Sequence, residues 1–452
     1  MTIKTIILAA GKGSRMKSTR PKVLHKIAAK PMLQWVVESA LDLNSEIIVV
    51  YGHGGERVIE SLPNHKISWI EQAEQLGTGH AVQQAASELS QDDTVLILYG
   101  DVPLINTATL HKMVEVCDAD TMSLLTVKLD NPTGYGRIVR EQGRVAKIVE
   151  QKDASAEQLL INEVNTGILA VNGGLLMSCL SALSNNNAQN EYYLTDIIEM
   201  VVNQNITVET IQPANEYEVQ GVNSPQQLNE LERYQQRLYA GEFMQHGVTL
   251  ADANRFDMRG DIKHLGSDIF IDCNVILEGA ISIGSNVTIG ANCVISNAVI
   301  GDNVTIKPNS ILDDCCIGAG SDVGPFARIR PGTKLGCDTK VGNFVEIKKS
   351  NLGEGSKVSH LSYIGDAEIG QQVNIGAGTI TCNYDGVNKY KTTIEDGAFI
   401  GSDTQLVAPV TVGKNATIAA GTTLTKHAAD DALTLSRAKQ TTLKNWKRPN
   451  KE

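Results

Sequence analysis

Between Leu265 and Leu424 an aliphatic residue returns at almost every sixth position, and that period leaves few folds open. The series runs Leu265, Ile271, Leu277, Ile283, Ile289, Ile295, takes a shorter step to Ile300, and continues through Ile306 and Leu312. It resumes at Ile317 and passes Val323, Ile329, Leu335, Val341 and Ile347, then Leu352, Val358 and Ile364, then Ile369 and Ile375. It closes with Ile394, Ile400, Leu406, Val412, Ile418 and Leu424. Such a period suits neither a helix nor a plain alternating strand, so each unit is a short strand plus a corner. Glycine follows the aliphatic residue at Ile283, Ile289, Ile300, Ile317 and Ile400, where the corner has no room for a Cβ. Three units per coil build a triangular parallel β-helix with the aliphatic residues stacked inside. Roughly nine coils at about 4.8 Å each make a prism on the order of 40 Å tall.

These hexapeptide repeats resemble the left-handed β-helix family. Handedness is taken from that resemblance, because the general crossover preference is right-handed. Many members are acyltransferases that work as trimers, which sets acyl transfer as the first functional expectation, with a stiff spacer as the alternative.

At 452 residues the chain is too long for one core. A formal charge of -11 denies it the basic surface of a nucleic-acid binder. Its eight cysteines form no CxxC pair, and Cys315 and Cys316 are adjacent, which argues against a zinc site or a disulfide framework and for a reducing, cytoplasmic compartment. Strand patterning starts at Ile3, with no long apolar run before it, so no secretion or membrane segment is expected.

Residues 3 to about 130 alternate strand-like runs (Ile3 to Ala9, Glu46 to Val50, Thr94 to Tyr99) with helical ones (Met32 to Leu43, Gly77 to Leu89), the pattern of a doubly wound, Rossmann-like α/β sheet. Ligands of such sheets sit beyond the carboxyl ends of the strands. Two polar stretches fall there: Leu8 to Met16 (LAAGKGSRM) and Tyr99-Gly100-Asp101. The first is no dinucleotide fingerprint, since Met16 stands at the third glycine position, and no P-loop. What remains is a turn whose backbone can approach phosphates, with Arg15 and Lys22 supplying charge, the latter stiffened by Pro21. Asp101 ends an apolar strand where the sheet opens and can bind Mg²⁺, a hard ion that takes oxygen ligands. Asn223 is either its partner or part of a helix start before Pro225, where Ser224 is the better cap. Glu150 is either a solvent-facing carboxylate or an acceptor for sugar hydroxyls.

From Ser224 to about Gly247 the pattern is helical, with Leu228, Leu231, Gln235 and Leu238 on one face, and reads as a rigid arm. The expected organisation is a doubly wound α/β domain at 1–226, a helical linker at 227–247 and a β-helix with a C-terminal tail at 248–452.

Polar residues interrupt the repeat array. At the coil spacing Arg330 and Lys348 stack on one face, as a phosphate site or as screened surface cations. His360 stands two residues after inward Val358, near that column, and acetylating an amine needs a base of near-neutral pKa. The repeat fails between Ile375 and Ile394, where Cys382 to Gly386 leave the coil as a loop. The tail from Arg437 to Lys451 carries six basic residues and no acidic one, for CoA phosphates or as a solvated end.

LAAGKGSRM, PKVLH at Pro21 to His25, QAEQLGTGHA at Gln72 to Ala81, LYGDVPL at Leu98 to Leu104 and NPTGYGRI at Asn131 to Ile138 resemble the sugar nucleotidyltransferases. Joined to a hexapeptide tail, they resemble the bacterial family that unites an N-acetylglucosamine-1-phosphate uridyltransferase with a glucosamine-1-phosphate acetyltransferase. Ser14 stands where that family usually has Thr, and the hydroxyl is kept. The resemblance implies that Leu8, Ala9, Ala10, Gly11, Lys22, Gln72, Gly77, Thr78, Tyr99, Gly100 and Asp101 hold UTP, with Gln72 and Gly77 near uracil. It implies that Gly136, Glu150 and Asn165 contact N-acetylglucosamine, that Asp101 and Asn223 bind Mg²⁺, and that Arg15 and Lys22 neutralise phosphates. In the second half it makes His360 the base and assigns Arg330, Lys348, Tyr363, Asn374, Asn383 and Tyr384 to the acetyltransferase substrates. Ala377, Ser402, Ala420 and Arg437 go to acetyl-CoA, although small residues such as Ala377 and Ala420 also suit tight coil packing. The implied enzyme is a homotrimer that makes UDP-N-acetylglucosamine for peptidoglycan and lipopolysaccharide synthesis from glucosamine 1-phosphate, acetyl-CoA and UTP. A single-activity nucleotidyltransferase with a regulatory β-helix and a non-catalytic scaffold are the rivals. Intact His360 and Asn383-Tyr384 speak against the first, and intact Arg15, Lys22, Asp101 and Asn223 against the second.

Overall fold

A computed structural model describes residues 2–11, 13–52, 54–63 and 65–449. Lys12 of the first loop and Lys451 of the tail lie outside the described residues. The chain forms two compact units, 1–235 and 236–452, and the helix Pro225–Gln245 runs across that division.

The first unit is a mixed sheet in the spatial order Thr207–Ile211, Thr121–Lys128, Glu163–Asn172, Thr94–Tyr99, Ile3–Ala9, Glu46–Tyr51, Ile67–Glu71. All these neighbours are parallel except Glu163–Asn172, which runs antiparallel to both strands beside it. The central strands are near-continuous aliphatic runs because both faces are covered. Alternation then assigns Ile7, Val49, Leu96 and Leu98 to one core and Ile6, Leu8, Val50 and Ile97 to the other. The helix Met32–Leu41 buries Leu33, Val36, Val37 and Ala40 on one stripe against the first of these cores. The run from Gly77 to Leu89 is shorter than its pattern promised, a helix at Thr78–Gln84 followed by a 3₁₀ turn at Ala86–Glu88. Ile3–Ala9 lies between Glu46–Tyr51 and Thr94–Tyr99, so the chain leaves it first to one side and later to the other. The carboxyl end of that strand is therefore the switch point, where a crevice opens.

The second unit is a parallel β-helix. Every hexad residue from Ile271 to Leu424 named above is buried in one continuous core, while Leu265 is only partly covered. The coil wall begins earlier than the hexad pattern, because Phe256–Leu265 already pairs in parallel with Val275–Ile283. Corners repeatedly place Asn or Asp at positive φ, as at Asn274, Asn292 and Asn309. Their side chains tolerate that region and hydrogen-bond from coil to coil, Asn274 to Asn292 at 2.9 Å and Asn292 to Asn309 at 3.2 Å.

The linking helix buries Leu231 and Gln235 as its pattern requires, but Leu238 is exposed and Ala240 and Phe243 are buried instead. Ala240 and Phe243 join the core of the second unit.

Candidate active sites

In the first unit the strand ends and two loops enclose a cavity of about 310 Å³ lined by Leu8, Ala9, Ala10, Gly11, Lys22, Gln72, Gly77, Thr78, Tyr99 and Asp101. Ten residues expected at the nucleotide site thus share one wall. Gly100, next in the chain, donates its N–H to Leu8 O at 2.9 Å and ties the two strand ends together. Gln75 and Glu191 also line the cavity, and the sequence reading gave neither a role. Gln75 Nε2 donates to Ala10 O at 2.6 Å, and Gln72 Nε2 donates to Gly77 O at 3.1 Å. Gly77 has φ +118°, and a Cβ there would stand 2.6 Å from Tyr192 O, so this position needs glycine twice over. Tyr192 N donates to Leu76 O and Gly79 N to Tyr192 O, each at 2.8 Å, which lays the 191–192 segment along the 76–79 loop.

Lys22 donates to Asp101 Oδ2 and, at 3.0 Å, to Asn223 Oδ1. Both members of the ion pair are mostly buried. The side chain of Asn223 is free for this contact because Ser224 caps the helix: Ser224 Oγ accepts from Gln227 N at 3.3 Å, and Gln227 Oε1 accepts from Asn223 N at 2.8 Å. Two hard oxygen donors therefore converge on one cation, here an ammonium, and that donor set fits Mg²⁺. Among the described residues no group of three His, Cys, Asp or Glu side chains is arranged to hold a metal. Further ligands for Mg²⁺ would thus be phosphate and water oxygens, its ordinary preference. Arg15 is not brought to this cluster. It is exposed on the 3₁₀ turn Ser14–Met16 and does not line the cavity.

The sugar residues form a second group. Asn165 N donates to Gly136 O at 2.9 Å, and a Cβ on Gly136 would come within 3.3 Å of Glu150 Oε1. Glu150 accepts from Thr195 Oγ1 at 3.2 Å. Burial pushes the Glu150 carboxyl above its ordinary value, with Asp196 and Asp153 adding to the rise and the Thr195 bond opposing it. Tyr99 joins this group to the cavity. Gly167, whose N–H donates to Asn165 Oδ1 at 2.9 Å, has no room for a Cβ against the Tyr99 ring. Burial raises the Tyr99 phenol, and the charges of Asp101 and Glu150 raise it further, so it stays a neutral donor.

In the second unit one face carries the other expected residues, along two edges. At its leading edge Phe326, Phe344, Leu361, Gly378, Asp403 and Gly421 all have positive φ. The residues just before the last five are Asn343, His360, Ala377, Ser402 and Ala420, which are linked coil to coil. Leu361 N donates to Asn343 O, Gly378 N to His360 O, Asp403 N to Ala377 O and Gly421 N to Ser402 O. The base and the three small residues expected at acetyl-CoA are thus equivalent positions on successive coils. His360 Nδ1 is 2.8 Å from Asn343 Oδ1. An amide oxygen there only accepts, so Nδ1 is the donor of this contact and Nε2 is left to face the substrate side. Asn343 was not singled out by the sequence reading, although one coil step back from His360 finds it.

The far edge of the face holds the cations. Ile329 pairs with Ile347, which sets Arg330 beside Lys348 on adjacent coils. Arg330 is not left unpartnered, since it donates to Glu346 at 2.6 Å. Lys348 faces a further cation that the sequence reading missed, Lys389. Contact with Lys389 lowers the Lys348 pKa most, and the charge of Arg330 adds to it. Asn383 donates to Asp366, and Asp366 N donates to Lys348 O at 3.1 Å, so Asn383 belongs to this edge too. Lys389 and Tyr384 come from the loop that breaks the repeat and are bridged to each other across it. In that coil the step between stacked residues grows to 25, against 17 or 18 in most of the other coils. Tyr363 lies mid-face, stacked on Glu346, and Asn374 sits on the adjoining face beside Lys357. Within one chain His360 is therefore not next to Arg330 and Lys348, contrary to the sequence expectation. Asn343 is the coil equivalent of His360 and Gly365 that of Lys348, so five chain positions with a turn at Leu361 separate the two edges. Arg437 is exposed in the tail.

Residues 5–160 match the MobA-like NTP transferase domain, residues 264–340 the GMPPB C-terminal domain and residues 391–426 the bacterial transferase hexapeptide (six repeats). The chain is 55% identical over 451 residues to the bifunctional protein GlmU of Marinobacter nauticus, covering 99% of each. Among solved structures, a nucleotidyl transferase from Methanothermobacter thermautotroptrophicus overlays with a TM-score of 0.39 at 20% identity, covering 52% of this chain and 99% of that one. A UDP-glucose pyrophosphorylase complexed with UDP-glucose overlays with a TM-score of 0.41 at 19% identity, covering 52% and 98%.

Proposed function

We infer the residue roles below from one premise: the chain belongs to the family of the bifunctional protein GlmU. It is a uridyltransferase and acetyltransferase of UDP-N-acetylglucosamine synthesis, taking small-molecule substrates. Glucosamine 1-phosphate is acetylated from acetyl-CoA, and the product is coupled to UTP with release of pyrophosphate.

For uridyl transfer, the 310 Å³ cavity takes UTP, with uracil toward Gln72 and Gly77 and the phosphates toward Gly11 and Lys22. Gly136, Glu150 and Asn165 hold the N-acetylglucosamine. Its 1-phosphate oxygen attacks the α-phosphorus in line, and the α–β bridging bond breaks with its electron pair on pyrophosphate. No protein nucleophile is required, so the residues align groups and neutralise charge. Lys22 does so at the reacting phosphates and Arg15 at the outer triphosphate. Asp101 and Asn223 would hold Mg²⁺, which when bound supplies charge neutralisation to the phosphate oxygens. The observation that carries this reading is the convergence of Lys22, Asp101 and Asn223 at the cavity wall.

For acetyl transfer, Arg330, Lys348 and Lys389 bind the sugar 1-phosphate, with Tyr363, Asn374, Asn383 and Tyr384 around the sugar. The pantetheine arm of acetyl-CoA runs along the corner formed by Ala377, Ser402 and Ala420, and Arg437 meets its phosphates. The Nε2 of His360 takes a proton from the glucosamine amine as the nitrogen attacks the thioester carbonyl, and CoA leaves as the thiol. A base so placed contributes roughly 10²- to 10⁴-fold.

We further propose a homotrimer in the cytoplasm. Phe326, Phe344 and Leu361 form an exposed apolar column, 47, 55 and 62% accessible, directly beside His360. The two phenyl rings stack at 5.2 Å, and a second copy would cover them. Among the described residues no helix is long and apolar enough to cross a membrane. One assay tests the whole reading: glucosamine 1-phosphate, acetyl-CoA, UTP and Mg²⁺ with purified protein yield CoA, pyrophosphate and UDP-N-acetylglucosamine. Failure to form CoA or pyrophosphate from the matching sugar phosphate overturns the corresponding half.

A further inference from the structure

Gln72 is 4% exposed and lies in the wall of the nucleotide cavity. Both hydrogens of its side-chain amide are engaged. Gly77 O can only accept, so the group that faces it at 3.1 Å is the amide nitrogen of Gln72. The same Nε2 stands 3.1 Å from His80 Nδ1, and an amide nitrogen only donates, so Nδ1 is the acceptor of this contact. Among the described residues nothing donates to Gln72 Oε1, which leaves that oxygen as the part of the amide open to a ligand. His80 itself does not line the cavity. It sits on the helix Thr78–Gln84, with the Tyr192 ring centred 6.3 Å from its own. Its other ring nitrogen lies 3.1 Å from the Gln84 amide, a group that can offer either its oxygen or its nitrogen.

We propose that His80 sets the nucleobase selectivity of uridyl transfer by fixing which end of the Gln72 amide meets the base. The inference rests on UTP occupying this cavity with uracil toward Gln72. Uracil carries a hydrogen on N3, which an amide oxygen accepts. Cytosine carries a lone pair there, and two acceptors face to face leave both unsatisfied. Turning the amide over would reverse the preference, but it would set Oε1 against Gly77 O and against the lone pair of His80 Nδ1, with both hydrogen bonds lost. Gly77 O supplies one of the two contacts that oppose the turn, and His80 supplies the other. A site whose buried polar group is matched to one hydrogen-bond pattern rejects the opposite pattern strongly. His80 is thus a positioning residue that never touches the nucleotide, and base discrimination falls when its acceptor is taken away.

The test uses the full chain. Transfer to N-acetylglucosamine 1-phosphate is measured with UTP, CTP and 5-methyluridine triphosphate, the last of which keeps the N3 hydrogen and differs from UTP only at C5. His80→Leu and His80→Ala remove the acceptor, and His80→Asn puts an amide oxygen in its place. We expect each removal to lower the UTP-to-CTP ratio of kcat/KM about tenfold, the scale of one hydrogen bond lost. The ratio of UTP to its 5-methyl analogue should stay at the wild-type value, and His80→Asn should restore most of the discrimination against CTP. Turnover of the methyl analogue reports that the first unit is folded, and His80→Ala carries the test should the bulkier leucine disturb the helix. An equal fall on all three nucleotides, or a wild-type UTP-to-CTP ratio in a folded removal variant, overturns the role of His80 and leaves the uridyltransferase reading in place. Wild-type protein that turns over none of the three overturns that reading and this inference with it.

Discussion

The Lys22 ammonium is hydrogen-bonded both to Asp101 and, at 3.0 Å, to Asn223, residues far from it in sequence. Each partner is a candidate Mg²⁺ ligand, so this lysine holds the two candidate donors together. Lys22→Ala or Asp101→Ala should cut uridyl transfer by roughly 10²- to 10³-fold, the scale for losing a preorganised electrostatic group. Acetyl transfer should be unchanged, because its residues belong to the other compact unit. Chelation with EDTA should divide the activities the same way. Separate assays of pyrophosphate and CoA release check this, and loss of both activities in folded Lys22→Ala protein would refute two independent sites.

Much of this architecture was readable in advance. Each hexad residue from Ile271 to Leu424 is inward, because burial of a residue relative to its own backbone is what periodicity records. The strand-end loop and Asp101 were readable for a similar reason, since strand ends follow from local pattern. Pairings between distant segments were not. Nothing in the 191–192 stretch announces that it packs on Gly77, and nothing in a broken repeat says that Lys389 returns to Lys348. Coil arithmetic could have found Asn343. The same arithmetic, applied around the coil, would have separated His360 from Lys348, whereas distance along the chain made them look adjacent.

Glu150 gives a pH prediction. Its carboxyl is raised above the ordinary range chiefly by burial, so the ionised form that accepts sugar hydroxyls is lost at a higher pH than for an exposed glutamate. The KM for N-acetylglucosamine 1-phosphate should climb as pH falls through that raised value. Stability has the opposite sense: the raised pKa favours the fold at low pH, and that contribution disappears as pH rises through the folded value. Glu150→Gln should flatten the acid limb of the KM profile while leaving thermal stability at neutral pH equal or higher. An unaltered acid limb in Glu150→Gln would remove this carboxylate from sugar binding.

Asn343 should matter to acetyl transfer without touching substrate. Its Oδ1 stands 2.8 Å from His360 Nδ1 and orients the ring. Asn343→Ala should lower kcat about tenfold, the worth of one well-made hydrogen bond. Asn343→Asp places a carboxylate against the imidazole, which raises its pKa, keeps the base protonated over a wider range and moves the acid limb of kcat/KM to higher pH. A profile that stays in place in Asn343→Asp would show that this contact does not govern the base.

Lys348 and Lys389 stand in contact, and the hydrogen bond between them, followed by their mutual charge, lowers the Lys348 pKa most. Both are solvent-accessible, so the effect is best read in binding. Lys389→Ala should raise the KM for glucosamine 1-phosphate several-fold and weaken its dependence on salt, because one screened charge is gone. Uridyl transfer should not change. A KM and salt slope equal to wild type would exclude Lys389 from the phosphate site.

The separation of His360 from Lys348 along one face carries the last prediction. His360 and Gly365, the coil equivalent of Lys348, stand five chain positions apart with the Leu361 turn between them. A neighbouring copy that brought its cation edge to this base would complete the acetyl site across an interface. The exposed Phe326, Phe344 and Leu361 column beside His360 supplies a seam at which a neighbouring copy can bring its cation edge to this base. His360→Ala and Lys348→Ala homotrimers should each be nearly inactive in acetyl transfer. Trimers re-formed from an equal mixture place an intact His360 against an intact Lys348 at about a quarter of their interfaces, and activity should recover to about that fraction of wild type. Recovery that never exceeds the sum of the two parents would mean that each site is built within one chain.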